Sequence, residues 1–401
     1  MLAGVAEMEA STLSLPVSTT RDRAIAIPWH VAAVLFASAS VVLGVMWDIS
    51  WHITIGRDTF WSAPHMAIYL GGIVAGVTCG YLVLRATFAG STAERGSAVR
   101  FWKVFYGPLG AWVCIWGAIA MLTSAPFDDW WHNAYGLDVE IISPPHAVLA
   151  LGIGAIQLGA ILMTLALQNR ESERGGTRFR FTFALACGLF VLMLAVMSSE
   201  FTRKVFMHGT LFFKVTAGIY PALLVAAAYG SRLRWPATTV AAIYMGIKIA
   251  MGWILPLFPA TPKLAPIFQD ITHMVPLDFP LLLIVPAIAI DLLMRRWPPR
   301  GGARDWALAA AVGIAFFALF IAAQWPFSTF LMSPASHNWF FFADNYPYFV
   351  PKTSNAYRGI FVQRDADTAA FARGFAFAVL LAMLSSRVGL WIGAWMTRVR
   401  R

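Results

Sequence analysis

The sequence predicts an all-α, polytopic integral membrane bundle, and three observations carry that prediction. Of its 401 residues 59% are hydrophobic and only 12% charged, about half the charge of a soluble domain. Ten apolar runs each approach or exceed the roughly 20 residues needed to cross the hydrocarbon core. None shows the alternation of a barrel strand, and backbone in lipid has to satisfy its hydrogen bonds internally. A water-soluble enzyme is excluded.

In chain order, residues 1–27 contain Glu7 and Glu9, lack an early basic stretch and have no apolar core of signal-peptide quality. They are expected to form a polar cytoplasmic tail rather than a cleaved leader. Five spans follow at 28–50, 64–86, 104–124, 145–168 and 179–199, within a first unit of 28–200. Five more, at 210–230, 237–257, 275–294, 306–324 and 370–394, fall in 201–401. That second unit carries a long aromatic outer loop at about 325–368, with Trp339, Phe340, Phe341, Phe342, Tyr346, Tyr348 and Phe349. A loop so rich in aromatics reads as a cover over the outer face, with His337 a further candidate contributor.

The formal charge of +10 does not mark a nucleic-acid protein, because the basic residues sit in short loops between spans and not in a block. Twenty of the 30 Lys and Arg residues lie in the N-terminal tail, the even-numbered loops and the C-terminus. The positive-inside rule then puts both termini in the cytoplasm and the odd-numbered loops outside. Seven of the eight histidines, His52, His65, His132, His146, His208, His273 and His337, fall on that outer side, and only His30 at an inner end. Cys79, Cys114 and Cys187 lie inside apolar runs without CxxC spacing, so any metal is left to His and carboxylate.

The first outer loop opens on Trp47-Asp48-Ile49-Ser50-Trp51-His52, and Pro64-His65 starts the next span. The second repeats the pattern as Phe127-Asp128-Asp129-Trp130-Trp131-His132, followed by Pro145-His146. Asp at i and His at i+4 share a helical face, and a His just after Pro at the following helix start can supply a third ligand. Two imidazoles and a carboxylate leave coordination positions open, as a reactive metal requires; copper, zinc and non-haem iron all fit that donor set. The opposing account makes Asp48 and Asp128 helix-end groups and His65 and His146 interfacial packing. Duplication at nearly equal spacing weighs against it.

The stretch Asp48-Ile49-Ser50-Trp51-His52-Ile53-Thr54-Ile55-Gly56-Arg57-Asp58-Thr59, closed by His65, resembles the metal-binding segment of the C subunit of the particulate methane and ammonia monooxygenases. In that family an Asp, a His four residues on and a His thirteen further bind copper, positions matched here by Asp48, His52 and His65. The second copy resembles the subunit's second proposed copper site, His132 and His146 matching while Asp128 stands where the family has Asn. A proline before each closing His is a further departure. The likeness covers roughly 28–168 and not the last 200 or so residues. It implies one or two copper ions, O2-dependent oxidation of a small apolar substrate such as a hydrocarbon or ammonia, and Arg57 and Asp58 as groups orienting the loop. It also implies an inner-membrane location with the sites toward the outer side, and other monooxygenase-type subunits, or a homo-oligomer, as partners alongside lipid. Two other classes stay open: a protein handling or transporting copper or another transition metal, and a non-catalytic scaffold with a structural ion.

Weaker signals lie elsewhere. Asp129, Asp270 and His273 are additional ligand candidates, with capping of the eighth span the favoured role for Asp270 and His273. Lys214 and Lys248 lie inside apolar spans, where a charge needs a partner, Asp291 or a backbone carbonyl being the candidates for Lys248.

Overall fold

The structure, a computed structural model, describes residues 26–57, 59–136 without the side chain of His132, 143–170 and 176–400. Most of the predicted tail, together with Asp58, lies outside the described residues. The protein is an all-α polytopic membrane bundle. Among the described residues nine helices are long and apolar enough to cross a membrane.

The first unit is built from α1 (Trp29–Thr54) and α2 (Ala63–Phe88), then α4 (Leu109–Tyr135) and α5 (Pro144–Arg170), and closes with α6 (Gly176–Met197). Between the two hairpins sit the short α3 (Thr92–Ser97) and a two-stranded ribbon of β1 (Val99–Phe101) and β2 (Phe105–Gly107). Each hairpin packs through small residues. A Cβ on Gly44 of α1 would stand 2.7 Å from Ile68 of α2, and one on Gly117 of α4 would stand 2.6 Å from the Gly152 carbonyl of α5. In lipid, where apolar burial between helices gains nothing over burial in acyl chains, such close backbone approach is what draws helices together.

The second unit begins with the one-turn α7 (Ser199–Thr202) and holds α8 (Thr210–Gly230), α9 (Pro236–Ile254), α10 (Ile284–Arg296), α11 (Gly302–Leu331) and α12 (Thr368–Met396). Helix α12 lies along α8, and the units join where α6 packs on α9 and α8.

The predicted eighth span, 275–294, is corrected. Residues 274–282 run as open, non-helical chain, Leu283 is a turn, and only Ile284–Arg296 is helical, a length of about 20 Å that falls short of a bilayer. The segment still runs the length of the bundle: Val275 bonds to the C-terminal end of α1, while the Arg295 guanidinium lies 3.7 Å over the Trp235 ring at the start of α9. Pro276 and Pro280 explain the break, since neither has an N–H to give a helix. The exposed backbone is met by side chains from three helices, as membrane depth demands. The Val275 N–H donates to Thr54 Oγ1 (2.8 Å), Leu281 N–H to Tyr244 Oη (2.9 Å) and Leu282 N–H to Gln324 Oε1 (2.9 Å).

Candidate metal centre

Helix α1 carries Asp48 and His52 one turn apart near its C-terminal end, and His52 Nε2 lies 3.8 Å from Asp48 Oδ2. The chain then turns through Gly56 at φ 85°, a value glycine adopts without steric cost. The Trp51 indole N–H holds that turn by donating to the Arg57 carbonyl at 2.9 Å. Helix α2 starts at Ala63-Pro64, with proline where the helix has no N–H to lose. His65 follows, and its Nε2 reaches 3.3 Å from Asp48 Oδ1. Asp48 Oδ1 is sealed from solvent and accepts no hydrogen bond.

The second hairpin reproduces this contact. His146 at the start of α5 places Nε2 3.4 Å from Asp128 Oδ1 of α4. The side chain of His132 lies outside the described residues. Two ligands about 2.1 Å from one ion at a tetrahedral angle stand about 3.4 Å apart, so 3.3 and 3.4 Å are separations at which a carboxylate and an imidazole can share a cation. In the first copy His52 and His65 approach different oxygens of Asp48, so the carboxylate lies between the imidazoles. Among the described residues, no three His, Cys, Asp or Glu side chains already converge as a metal-holding group. The donor set and the pairwise spacing fit a transition metal in each hairpin, with the buried Asp48 Oδ1 an additional sign in the first.

The remaining candidates are placed as follows. Arg57 is exposed and acts on the turn through its backbone carbonyl. Asp129 is exposed, and its carbonyl accepts from the Asn133 amide at 2.8 Å. Asp270 and His273 are exposed, and neither caps α10, whose N-cap is Leu283. His273 Nδ1 instead lies 2.9 Å from Thr272 Oγ1, and its backbone bridges Pro259. His337 is exposed. His208 is stacked between Phe361 and Trp325, with ring centroids 3.6 and 4.0 Å away, and burial lowers its pKa below the usual imidazole value.

The aromatic loop lies against the C-terminal end of α1. The Tyr348 N–H donates to the Ile53 carbonyl at 3.1 Å, and the Phe342 ring rests on Gly252 of α9. Its start is corrected, because α11 runs on through Pro326 to Leu331.

Spacing alone did not reveal a buried polar cluster on the extended segment. Asp278 Oδ2 accepts the Lys204 backbone N–H at 3.0 Å, and the Lys204 ammonium donates to the Ala343 carbonyl and lies 4.6 Å from the Tyr346 ring. Burial pushes the pKa of Lys204 down, against the pull of Asp278 and Asp344. The anionic neighbour of buried Lys248 is likewise Asp278. Asp291, the acid the sequence offered for Lys248, caps α9 instead, accepting from the Ala237 and Thr238 N–H groups at 3.1 and 2.9 Å.

Comparison with protein-family models, curated proteins and solved structures gave no match to this chain.

Proposed function

We propose that this is a copper-binding membrane protein taking part in the O2-dependent oxidation of a small apolar substrate, after the manner of the monooxygenase C subunit that residues 28–168 resemble. The observation that carries the reading is the duplicated hairpin, in which an aspartate near the end of one helix and the histidine opening the next meet at 3.3 Å in one copy and 3.4 Å in the other. Asp48, His52 and His65 would hold one ion, and Asp128, His132 and His146 a second; copper bound there would supply the redox chemistry that activates O2. The chain's own part is to bind and orient. Asp48 and Asp128 supply negative charge that favours a cation in a low-dielectric setting, and the Trp51 contact with Arg57 fixes the turn that brings His65 round. The apolar bundle admits O2 and an apolar substrate from the lipid and keeps bulk water away.

The location belonging to this reading is the inner membrane, with both termini cytoplasmic and the two sites on the outer side. Its partners are lipid and either monooxygenase-type subunits or further copies of the chain. Metal transport is the weaker alternative, because it needs polar groups continuing across several spans, and the spans offer little beyond Lys214, Lys248 and scattered Ser and Thr. A scaffold with a structural ion differs from the proposal only in showing no metal-dependent oxidation.

The test is elemental analysis of the full chain purified in lipid nanodiscs, alone and as Asp48→Ala and Asp128→Ala, with O2 consumption measured on the loaded protein. The expected result is copper lost one equivalent per variant and copper-dependent O2 uptake. Unchanged metal content in both variants refutes the reading.

A further inference from the structure

The two hairpins share their acid and imidazole positions but differ on the opposite side of the helix. In α1, Ser50 and Thr54 are one turn apart and both wholly buried. They lie two residues on from Asp48 and His52, about 200° round a helix of 3.6 residues per turn. The Ser50 hydroxyl donates to the Val275 carbonyl at 2.5 Å, and the Val275 N–H donates to Thr54 Oγ1 at 2.8 Å. Thr54 also donates to the Ser50 carbonyl at 2.6 Å, which closes the set. Val275 is held as a neighbouring strand would hold it, except that helix side chains replace one backbone.

Further contacts cover the same end. The Lys263 N–H donates to the Ile55 carbonyl at 2.9 Å, and Trp47 and Trp51 pack against Leu255 and Met274. In the second copy the positions equivalent to Ser50 and Thr54 are Trp130 and Ala134. Trp130 is 55% exposed and Tyr135 68%, and Ala134 has no hydroxyl to offer.

The mechanical consequence follows from helix geometry. A ligand atom about 6 Å from the helix axis moves about 2 Å when the helix turns by 20°, as large as a metal–ligand bond. Buried hydrogen bonds that fix the face of α1 opposite the ligands therefore fix where Asp48 and His52 point. Ligands held in place before binding do not have to be ordered by the ion, which strengthens its binding and slows its release.

We propose that the two sites are unequal: an ion at Asp48, His52 and His65 is retained, an ion at Asp128, His132 and His146 is exchangeable, and Ser50 and Thr54 are positioning residues that make the difference through Val275. This rests on the metal-binding reading above. It also assigns a role to the second unit, whose extended segment holds α1 in register.

The experiment is a titration of the apo full chain in nanodiscs with Cu(I) against a competing chelator, with Cu(II) electron paramagnetic resonance of the loaded protein. The wild type is expected to show a tight and a weak class, Asp48→Ala removing the tight one and Asp128→Ala the weak one. Ser50→Ala with Thr54→Val is expected to weaken the tight class about tenfold or more, to change its copper spectrum, and to leave the weak class as it was. Thr54→Ser, which keeps the hydroxyl, is expected to retain tight binding, so a folding defect in the double variant does not decide the outcome. Copper bound in a tight class that the double variant leaves unchanged, or that Asp128→Ala removes, overturns the inference while leaving the metal reading standing. A wild-type chain that binds no copper overturns both.

Discussion

Replacing Tyr244 with Phe tests whether the eighth crossing is truly unwound. Tyr244 is fully buried, and its hydroxyl accepts the N–H of Leu281, itself 4% exposed. Without that oxygen a buried N–H has no acceptor, at a cost of about 1–3 kcal/mol. Gln324→Leu does the same to the Leu282 N–H and also removes the contact of the Gln324 amide with Met207 Sδ at 3.3 Å. The two donors are adjacent on one strand, so the pair of substitutions is expected to cost about 2–5 kcal/mol, less than the simple sum if the strand shifts to share the loss. Unfolding in mixed micelles of rising denaturing detergent measures that total. Amide hydrogen exchange localises it, with protection over 281–283 expected to fall tenfold for each 1.4 kcal/mol. A continuous helix from 275 would instead give the Leu281 N–H to the Leu277 carbonyl and be indifferent to Tyr244→Phe. Stability within 0.5 kcal/mol of wild type in both single variants, with exchange unchanged, would refute the unwound segment.

Three further outcomes follow from packing and charge. Gly252→Ala places a Cβ 3.0 Å from Phe342 Cε2 and nearer still to its Cζ, in a loop where Phe342 already has φ 44°; overpacking of about 1–3 kcal/mol and faster proteolysis within 332–367 are expected. Asp278→Asn withdraws the anion that both Lys204 and Lys248 face and is expected to cost about 3 kcal/mol. Lys248→Met leaves Asp278 with its Lys204 contact and should cost less, an order that thermal unfolding of the two variants checks. His208 has its pKa lowered by burial, opposed by its contact with the Trp325 carbonyl. Its unfolded form takes up a proton as pH falls through about 6.5, while the folded form resists. Stability is therefore lost as pH drops below that value, and His208→Gln is expected to flatten the loss in unfolding midpoints measured from pH 7.5 to 5.

Nine of the helices were legible because length and apolarity suffice to specify a span in lipid. The extended segment was not, since Leu277, Phe279, Leu281, Leu282 and Leu283 are as apolar in a strand as in a helix. What distinguishes them is proline spacing: Pro276 and Pro280 together remove two helical hydrogen bonds within one turn. A single proline is a poorer guide. The predicted spans 104–124 and 306–324 stop short of Pro126 and Pro326, yet α4 and α11 continue past them to Tyr135 and Leu331, as lone prolines are tolerated in membrane helices.

At the candidate site, periodicity alone pairs Asp48 with His52, and hairpin length brings His65 back to Asp48, so local sequence contained the contacts at 3.8 and 3.3 Å. The support for them came from far away: Ser50 and Val275 are 225 residues apart, and neither stands out in an apolar span. The same separation misassigned the partner of Lys248. In a helical span from 275, Asp278 and Asp291 would lie about equally far along the bundle from Lys248, but open chain advances up to about 3.3 Å per residue against 1.5 Å for a helix, so unwinding 274–282 carries Asp278 further from the end of α1 toward Lys248. One error in element type thus accounts for both omissions. Once the segment is unwound, Val275 reaches Thr54 and Asp278 reaches both lysines along one stretch of chain, tying the C-terminal end of α1 to the buried lysines of the second unit.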